Sequence, residues 1–245
     1  MKYLRLTTGF FSLFFLTGFS GCVDPPKEKT AEPGTIVLSF NHFFRNKALR
    51  FAPDSFITKA GDTIRISECK YYISNITLTK SDGSTWNAGN YSLVDVEVPK
   101  NIILTKVPAG TYNRISFLVG VDASRNHSGA QDGDLDPSWG MSWTWNTGYI
   151  FFRLKGFYTS INKGFSFDLG GDDNIMSAHF NFDPVIIDAN SKTISVKSDM
   201  NAFFETPNLY DLKKDTNDIH TASTEGILKL RDNVNSGVFS FMSVQ

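Results

Sequence analysis

Apolar and polar residues alternate with a period of two along most of the chain from residue 35 onward. The clearest runs cover residues 36–40, 115–121, 150–154, 165–169 and 176–182. A period of two is typical of β-strands that have one face on a core and the other toward water. Turn-forming Gly, Asn, Asp and Pro residues separate the runs. The pattern predicts an all-β fold, with roughly eight to ten strands in a single antiparallel sandwich or barrel over residues 35–245.

Two short helices and one long loop interrupt this pattern. The helices are predicted over residues 199–205 and near residues 223–230. The loop covers residues 122–147 and carries three of the four Trp residues. Loops of this length inside a domain are usually functional or disordered, and the aromatic content argues against disorder. The loop is therefore a candidate binding surface.

The N-terminus has the layout of a targeting segment. A positively charged start leads into the apolar residues 10–19, and two small residues stand directly before Cys22. This resembles the lipobox of a bacterial lipoprotein; the alternative is an ordinary secretory signal with an incidental cysteine. We therefore predict a signal peptide over residues 1–21, lipidation at Cys22 and a tether over residues 22–34. The expected location is the outer membrane, facing the periplasm or the cell surface.

Charge and cysteine content exclude several classes of protein. The chain has 24 Lys and Arg against 25 Asp and Glu, a net charge of -1, so there is no basic field to attract nucleic acid. Past the N-terminus no apolar run is long enough to span a bilayer, so a lipid anchor is the only membrane attachment that we expect. Once Cys22 is lipidated, Cys69 is the one remaining cysteine, which excludes an intrachain disulfide. We expect Cys69 to be a small buried hydrophobic residue.

Several segments, taken in order and spacing, carry a resemblance to a known family. The matching segments are residues 70–76 (KYYISNI), 107–112 (VPAGTY), 120–122 (GVD), 135–137 (LDP), 140–145 (GMSWTW), 148–151 (GYIF) and 165–171 (FSFDLGG). Together they resemble the MbnP family, which is named for its link to methanobactin operons and is well represented among Bacteroidota lipoproteins. The resemblance implies an all-β copper protein of the periplasm or cell surface. It also implies a dihaem peroxidase as partner, which oxidises a Trp to kynurenine in some members.

The resemblance and the available donors give a candidate copper site. Asp168 stands where many relatives carry a His. We predict His42 and His220 as ligands, with Asp168 as a third, oxygen donor, a set that suits Cu(II) better than Cu(I). The resemblance also marks Trp143 and Trp145 as candidates for oxidation.

Each candidate has a plain structural alternative. His42 continues an apolar strand face, so a buried, hydrogen-bonded structural role is as consistent with the pattern as a metal ligand. His220 lies in a loop and is equally compatible with simple exposure to solvent, which is also what we expect of His127 and His179. The Trp residues of the loop are compatible with ordinary core packing.

Two classes of function follow from these observations. The first is a lipid-anchored copper-binding protein that acts in metal uptake or handling. The second is a metal-free surface module that binds a glycan, peptide or protein through residues 122–147. Nucleophile, phosphate-loop and zinc-protease motifs are absent from the sequence, so we do not expect an enzyme.

Overall fold

A computed structural model describes residues 31–143, 148–220 and 225–245. In these parts the strands are β1 (Gly34–Phe44), β2 (Lys47–Ala48), β3 (Phe56–Ile57), β4 (Thr63–Lys80), β5 (Thr85–Asn87), β6 (Tyr91–Asp95), β7 (Ile102–Val107), β8 (Gly110–Val119), β9 (Ile150–Tyr158), β10 (Lys163–Gly170), β11 (Met176–Ile187), β12 (Ser191–Asp199), β13 (Asp218–Ile219) and β14 (Phe239–Val244). The α-helices are α1 (Ala123–Asn126) and α2 (Glu225–Asn233). Short 3-10 turns lie at Gly133–Leu135, Pro137–Trp139, Thr159–Ile161, Asp172–Asn174 and Ala202–Phe204, and a π turn covers Val234–Val238.

The strands form two sheets. The larger has the order β11-β8-β4-β9-β10-β13, and β3, β5 and β6 also pair with the long strand β4. The smaller has the order β14-β12-β1-β2, with β7 also paired with β1. The sheets are not closed, so the predicted all-β fold is confirmed as a sandwich rather than a barrel.

Two strand pairs depart from the antiparallel arrangement that the sequence predicts. β1 runs parallel to β12, and β10 runs parallel to β13. Alternation of apolar residues identifies a strand but not the direction of its neighbour, because side chains alternate in both kinds of sheet. The parallel pair of β10 and β13 turns out to build part of the candidate site.

The core lies between the two sheets and is rich in aromatic rings. Tyr71 stacks on Phe152 at 5.3 Å, and Phe152 stacks on Phe203 at the same distance. Phe40 of the smaller sheet meets Phe117 of the larger edge to face at 5.7 Å. Each large side chain removed from water contributes about 1.5–3 kcal/mol, so this cluster is a main source of stability.

The C-terminal helical segment closes the core. Helix α2 buries Ile227 and Leu230, and its last residue, Asn233, is fully buried. The Asn233 amide donates to the carbonyls of Phe203 and Asn208, which satisfies it inside the core. The helix predicted near residues 223–230 is thus present from residue 225, while the one predicted over residues 199–205 is a single 3-10 turn.

Residues 31–245 form one compact unit. In the described part of the chain, no helix has both the length and the apolar character needed to cross a membrane. Cys22 and the proposed signal peptide lie outside the described residues, so the lipid anchor stays a prediction.

Candidate functional site

Strand alternation separates the candidate residues onto two faces of the larger sheet. Tyr71 pairs with Phe152, and Phe152 pairs with Leu169; all three point into the core. The neighbouring residues Arg153 and Asp168 face each other on the outer side of the same strands. Because successive side chains on a strand point to opposite faces, the inner and outer sets are separated by the sheet itself.

Asp168 is held by a guanidinium group. Its two carboxylate oxygens accept hydrogen bonds from Arg153, at 2.6 Å from Nε and 2.8 Å from Nη2. Arg153 also donates to the carbonyl oxygen of Gly140 at 2.9 Å and lies 3.5 Å from a Glu68 oxygen. Burial lowers the pKa of Arg153, but the bonds to Asp168 outweigh it and the pKa is raised overall. Asp168 is therefore a neutralised member of a bidentate ion pair.

His220 lies directly beside this ion pair. It follows β13, and the parallel pairing of β13 with β10 brings it next to Asp168. Its Nδ1 is 3.1 Å from Asp168 Oδ2, and its Nε2 is 2.5 Å from Asp218 Oδ1. The His220 side chain is 43% exposed and that of Asp218 is 70% exposed, so this imidazole bridges a buried carboxylate and an exposed one.

His42 lies on the other side of the sheet. Its Nε2 is 2.8 Å from the hydroxyl of Tyr71, which is also 3.1 Å from Ser198 Oγ. Burial lowers the pKa of His42 to about 4, because the charged imidazolium is poorly solvated there. The neutral, hydrogen-bonded imidazole matches the structural alternative described for this residue.

The structure thus brings together two of the three predicted ligands, Asp168 and His220, and leaves His42 apart from them. Over the described ranges, no group of three or more His, Cys, Asp or Glu side chains is placed to hold a metal ion. Copper binding by any of these residues stays a prediction.

The donors on the outer face fit copper in part. Both oxygens of Asp168 accept a hydrogen bond from Arg153, so a metal ion bound there would share them with the guanidinium, and the role of Asp168 as a direct ligand stays a prediction. Asp168 is also placed to orient His220, in the way that a carboxylate behind a ligating imidazole fixes the ring in metal sites. Nε2 of His220 and the carboxylate of Asp218 remain as nitrogen and oxygen donors, a pair that suits Cu(II).

Trp143 packs beside the same strand. A Cβ added to Gly170 would lie 2.5 Å from Trp143 Cη2 and 2.6 Å from the carbonyl oxygen of Tyr149. Glycine is therefore required at position 170 for the indole to approach the sheet this closely. The other candidate for oxidation, Trp145, lies outside the described residues, and modification of either Trp stays a prediction.

A buried amide fixes the end of the loop near Trp143. Asn126 accepts a hydrogen bond from the Tyr149 backbone N–H at 2.7 Å and donates to Asp172 Oδ1 at 2.7 Å. It is 2% exposed and meets Gly148, whose φ is +131°. His127, expected to be exposed, is half-exposed and 2.9 Å from Asp172.

Asn126 and Arg153 were missed by sequence reasoning, because neither residue type nor spacing distinguishes them from surface polar residues.

The first part of the loop lines an open cavity of about 490 Å³. Arg125 lies over the ring of Tyr91, and its Nη1 donates to Gln131. Asp134 accepts hydrogen bonds from Lys100 Nζ and from the Leu93 backbone N–H. The polar groups of this cavity therefore form most of their hydrogen bonds within the protein.

Cys69 is a buried free thiol, as expected. Its Sγ is 3.7 Å from Met200 Sδ, a pairing between β4 and the end of β12 that the sequence does not reveal. Burial raises the pKa of the thiol, so the thiolate that binds metals is strongly disfavoured. We therefore regard this sulfur pair as core packing.

Comparison with known proteins was made for sequence and for fold. The sequence profile of the MbnP family matches residues 33–223. The solved structure of MbnP from Methylosinus trichosporium is similar, with a TM-score of 0.57 and 16% sequence identity over 86% of this chain and 98% of that chain. A search of curated proteins gave no match. At this level of identity the structural likeness supports the fold.

Proposed function

This chain belongs to the MbnP family, which is associated with copper, and we propose that it handles copper ions through His220 at the outer rim of the larger sheet. The observation that carries the proposal is the position of His220 between Asp168 and Asp218. Copper is the cargo in this proposal, and the protein performs no chemistry on it.

Asp168, on the buried side of His220, would fix the orientation of the imidazole ring. With Nδ1–H donating to Asp168, the ring is held in a fixed orientation, and an incoming ion would take the place of the proton between Nε2 and Asp218 Oδ1. Asp168 cannot turn away easily, because Arg153 binds both of its oxygens. Asp218 is exposed and can supply an oxygen to the same ion.

Copper titration of the mature protein in detergent, followed by calorimetry and Cu(II) EPR, tests this assignment. We expect one equivalent of Cu(II) with a nitrogen-ligand EPR signature, and loss of that equivalent in His220→Ala. The matched control is His179→Ala, an exposed histidine on β11 of the same sheet. Equal copper binding by His220→Ala and the control would rule out His220 as the ligand.

We further propose that Cys22 is lipidated and that the protein sits in the outer membrane. The support is the lipobox-like end of the N-terminal segment. Palmitate labelling and detergent partitioning provide the test, with loss of both expected in Cys22→Ala. A Cys22→Ala protein that stays equally membrane-bound would contradict the anchor.

A dihaem peroxidase that oxidises Trp143 or Trp145 is the partner that we propose. The support is the family resemblance, together with the packing of Trp143 beside the strand that carries Asp168. Peptide mass mapping after co-expression with such a peroxidase should place an oxidative mass change on one of these residues. An unmodified tryptic map under those conditions would remove the proposal.

A second candidate function has a specific observation in its favour. The ordered part of the loop presents Trp139 with 48% of its surface exposed, next to the cavity lined by Arg125 and Gln131. This supports the alternative of a metal-free surface module. Selective loss of partner binding in Trp139→Ala, with copper binding unchanged, would favour it over the copper proposal.

A further inference from the structure

A shallow groove crosses the outer face of the larger sheet, away from His220. It has a volume of about 330 Å³, and we call it the outer-face groove. Its polar lining includes Asn75, Thr77, Asn87, Arg114, Ser116 and His179. These residues come from β4, β5, β8 and β11.

Strand pairing fixes the layout of the groove. Ser116 lies opposite Thr77 on one side and opposite His179 on the other. Neighbouring strands are about 4.8 Å apart, so these three side chains span about 10 Å across the sheet. That width and volume suit a single small ligand rather than a folded partner.

The side chains of Arg114 and His179 in the groove are not paired with other residues of the protein. Neither side chain has an ion pair or hydrogen bond within the described ranges. None of the described lining residues is acidic, although the chain as a whole has more acidic than basic residues. An uncompensated guanidinium among hydroxyl and amide groups is a ready partner for an oxyanion.

The cavity in the loop is different in this respect. There Arg125 is occupied by Tyr91 and Gln131, and Asp134 is occupied by Lys100. In the outer-face groove Asn75, Thr77 and Asn87 also have hydrogen bonds within the protein. The difference lies in the guanidinium group: Arg125 is engaged in the loop cavity, whereas a ligand could bind Arg114 in the groove without displacing a partner.

We propose that the outer-face groove binds an acidic monosaccharide, with its carboxylate on Arg114 and its hydroxyl groups on the amide and hydroxyl side chains around it. A simple anion offers mainly acceptor oxygens, so it would bind Arg114 and the other donors of the lining and leave the acceptor groups of the lining unused. A sugar acid uses both parts of the lining, which is why we favour it. The site does not depend on the copper proposal, since it shares no residue with it.

Isothermal titration of the mature protein with glucuronate, glucose and inorganic phosphate tests this proposal. We expect saturable binding of glucuronate, with affinity at least tenfold lower in Arg114→Gln. The matched control is Arg65→Gln, an exposed arginine outside the groove on the neighbouring strand β4, which should bind glucuronate like the wild type. Asn87→Ala should weaken glucuronate and leave phosphate unaffected.

Three results would overturn the proposal. The first is no glucuronate binding by wild-type protein that is folded by circular dichroism. The second is equal loss of affinity in Arg65→Gln and Arg114→Gln, which would show a non-specific charge effect. The third is equal affinity for phosphate and glucuronate with no effect of Asn87→Ala, which would show a simple anion site.

Discussion

The outer face of the larger sheet is divided into a covered half and an open half. In the covered half, Asp168 and Arg153 lie beneath the loop backbone at Gly140, and both are paired. In the open half, Arg114 and His179 face solvent with no partner in the described part of the chain. Both halves are built from outward-facing side chains of alternating strands, yet the charged groups are paired in the covered half and unpaired in the open half.

The difference shows how one sheet face combines stability with binding. A buried charge is tolerated only when it is paired, so the covered half fixes the loop and orients His220. An exposed charge costs little to leave unpaired, so Arg114 in the open half can stay without a partner, and it is there that we propose a ligand binds. The following predictions test this division, beginning with the largest expected effect.

Removing one member of the buried pair should destabilise the protein most. In Asp168→Ala the Arg153 guanidinium stays buried without its carboxylate, and such changes cost about 3–5 kcal/mol. Arg114→Gln, in the open half, should change the free energy of unfolding by less than about 0.5 kcal/mol. Urea unfolding measures both. Similar values for the two variants would contradict the division.

Acidification should destabilise the protein through His42, on the core side of the sheet. The pKa of His42 is lowered to about 4 in the folded state from an ordinary value of 6.5. Its contribution to stability is therefore complete above pH 6.5 and is lost as the pH falls toward 4. The shift corresponds to about 3 kcal/mol at most.

The check is the pH dependence of the unfolding free energy in wild type and in His42→Gln. The variant should show a shallower loss between pH 6.5 and 4. Parallel curves for the two proteins would mean that His42 does not titrate as its burial predicts.

Removing the Asn126 side chain should loosen the loop, with a smaller effect on stability than the two changes above. Asn126→Ala leaves the Tyr149 N–H and one Asp172 oxygen without this partner, at a cost of about 1–3 kcal/mol. Faster hydrogen exchange at Tyr149 and Ile150 would report local loosening of the loop. The neighbouring variant His127→Ala removes the other side-chain partner of Asp172 but leaves the Tyr149 N–H bonded to Asn126, so it serves as control and Tyr149 should exchange like the wild type. No change in Asn126→Ala would show that the loop is held elsewhere.

The sequence predicts the strands well but not the relations between them. Alternation places Phe165 and Phe167 on the core side and therefore Asp168 on the other side. It does not show that β13, a strand of two residues, runs parallel to β10 and delivers His220 to Asp168. The link joins residues 52 positions apart, and a strand this short has too few residues for its pattern to be recognised.

The candidate site was harder to predict than the fold for a related reason. Arg153 alternates outward like any surface arginine, and only the loop that covers it makes its pairing with Asp168 a buried one. His42 continues an apolar face, so its position near the core was an open alternative from the sequence. What the sequence lacks in both cases is the partner, which is Asp168 on the neighbouring strand for Arg153 and Tyr71 on the facing sheet for His42.

The most direct test of the account is anomalous diffraction at the copper edge from crystals of the copper-loaded mature protein. We expect a copper peak bonded to Nε2 of His220 and adjacent to Asp218, with the Arg153–Asp168 ion pair intact behind the ring. A copper peak at His42, or a peak bonded to Asp168 with Arg153 displaced, would contradict it.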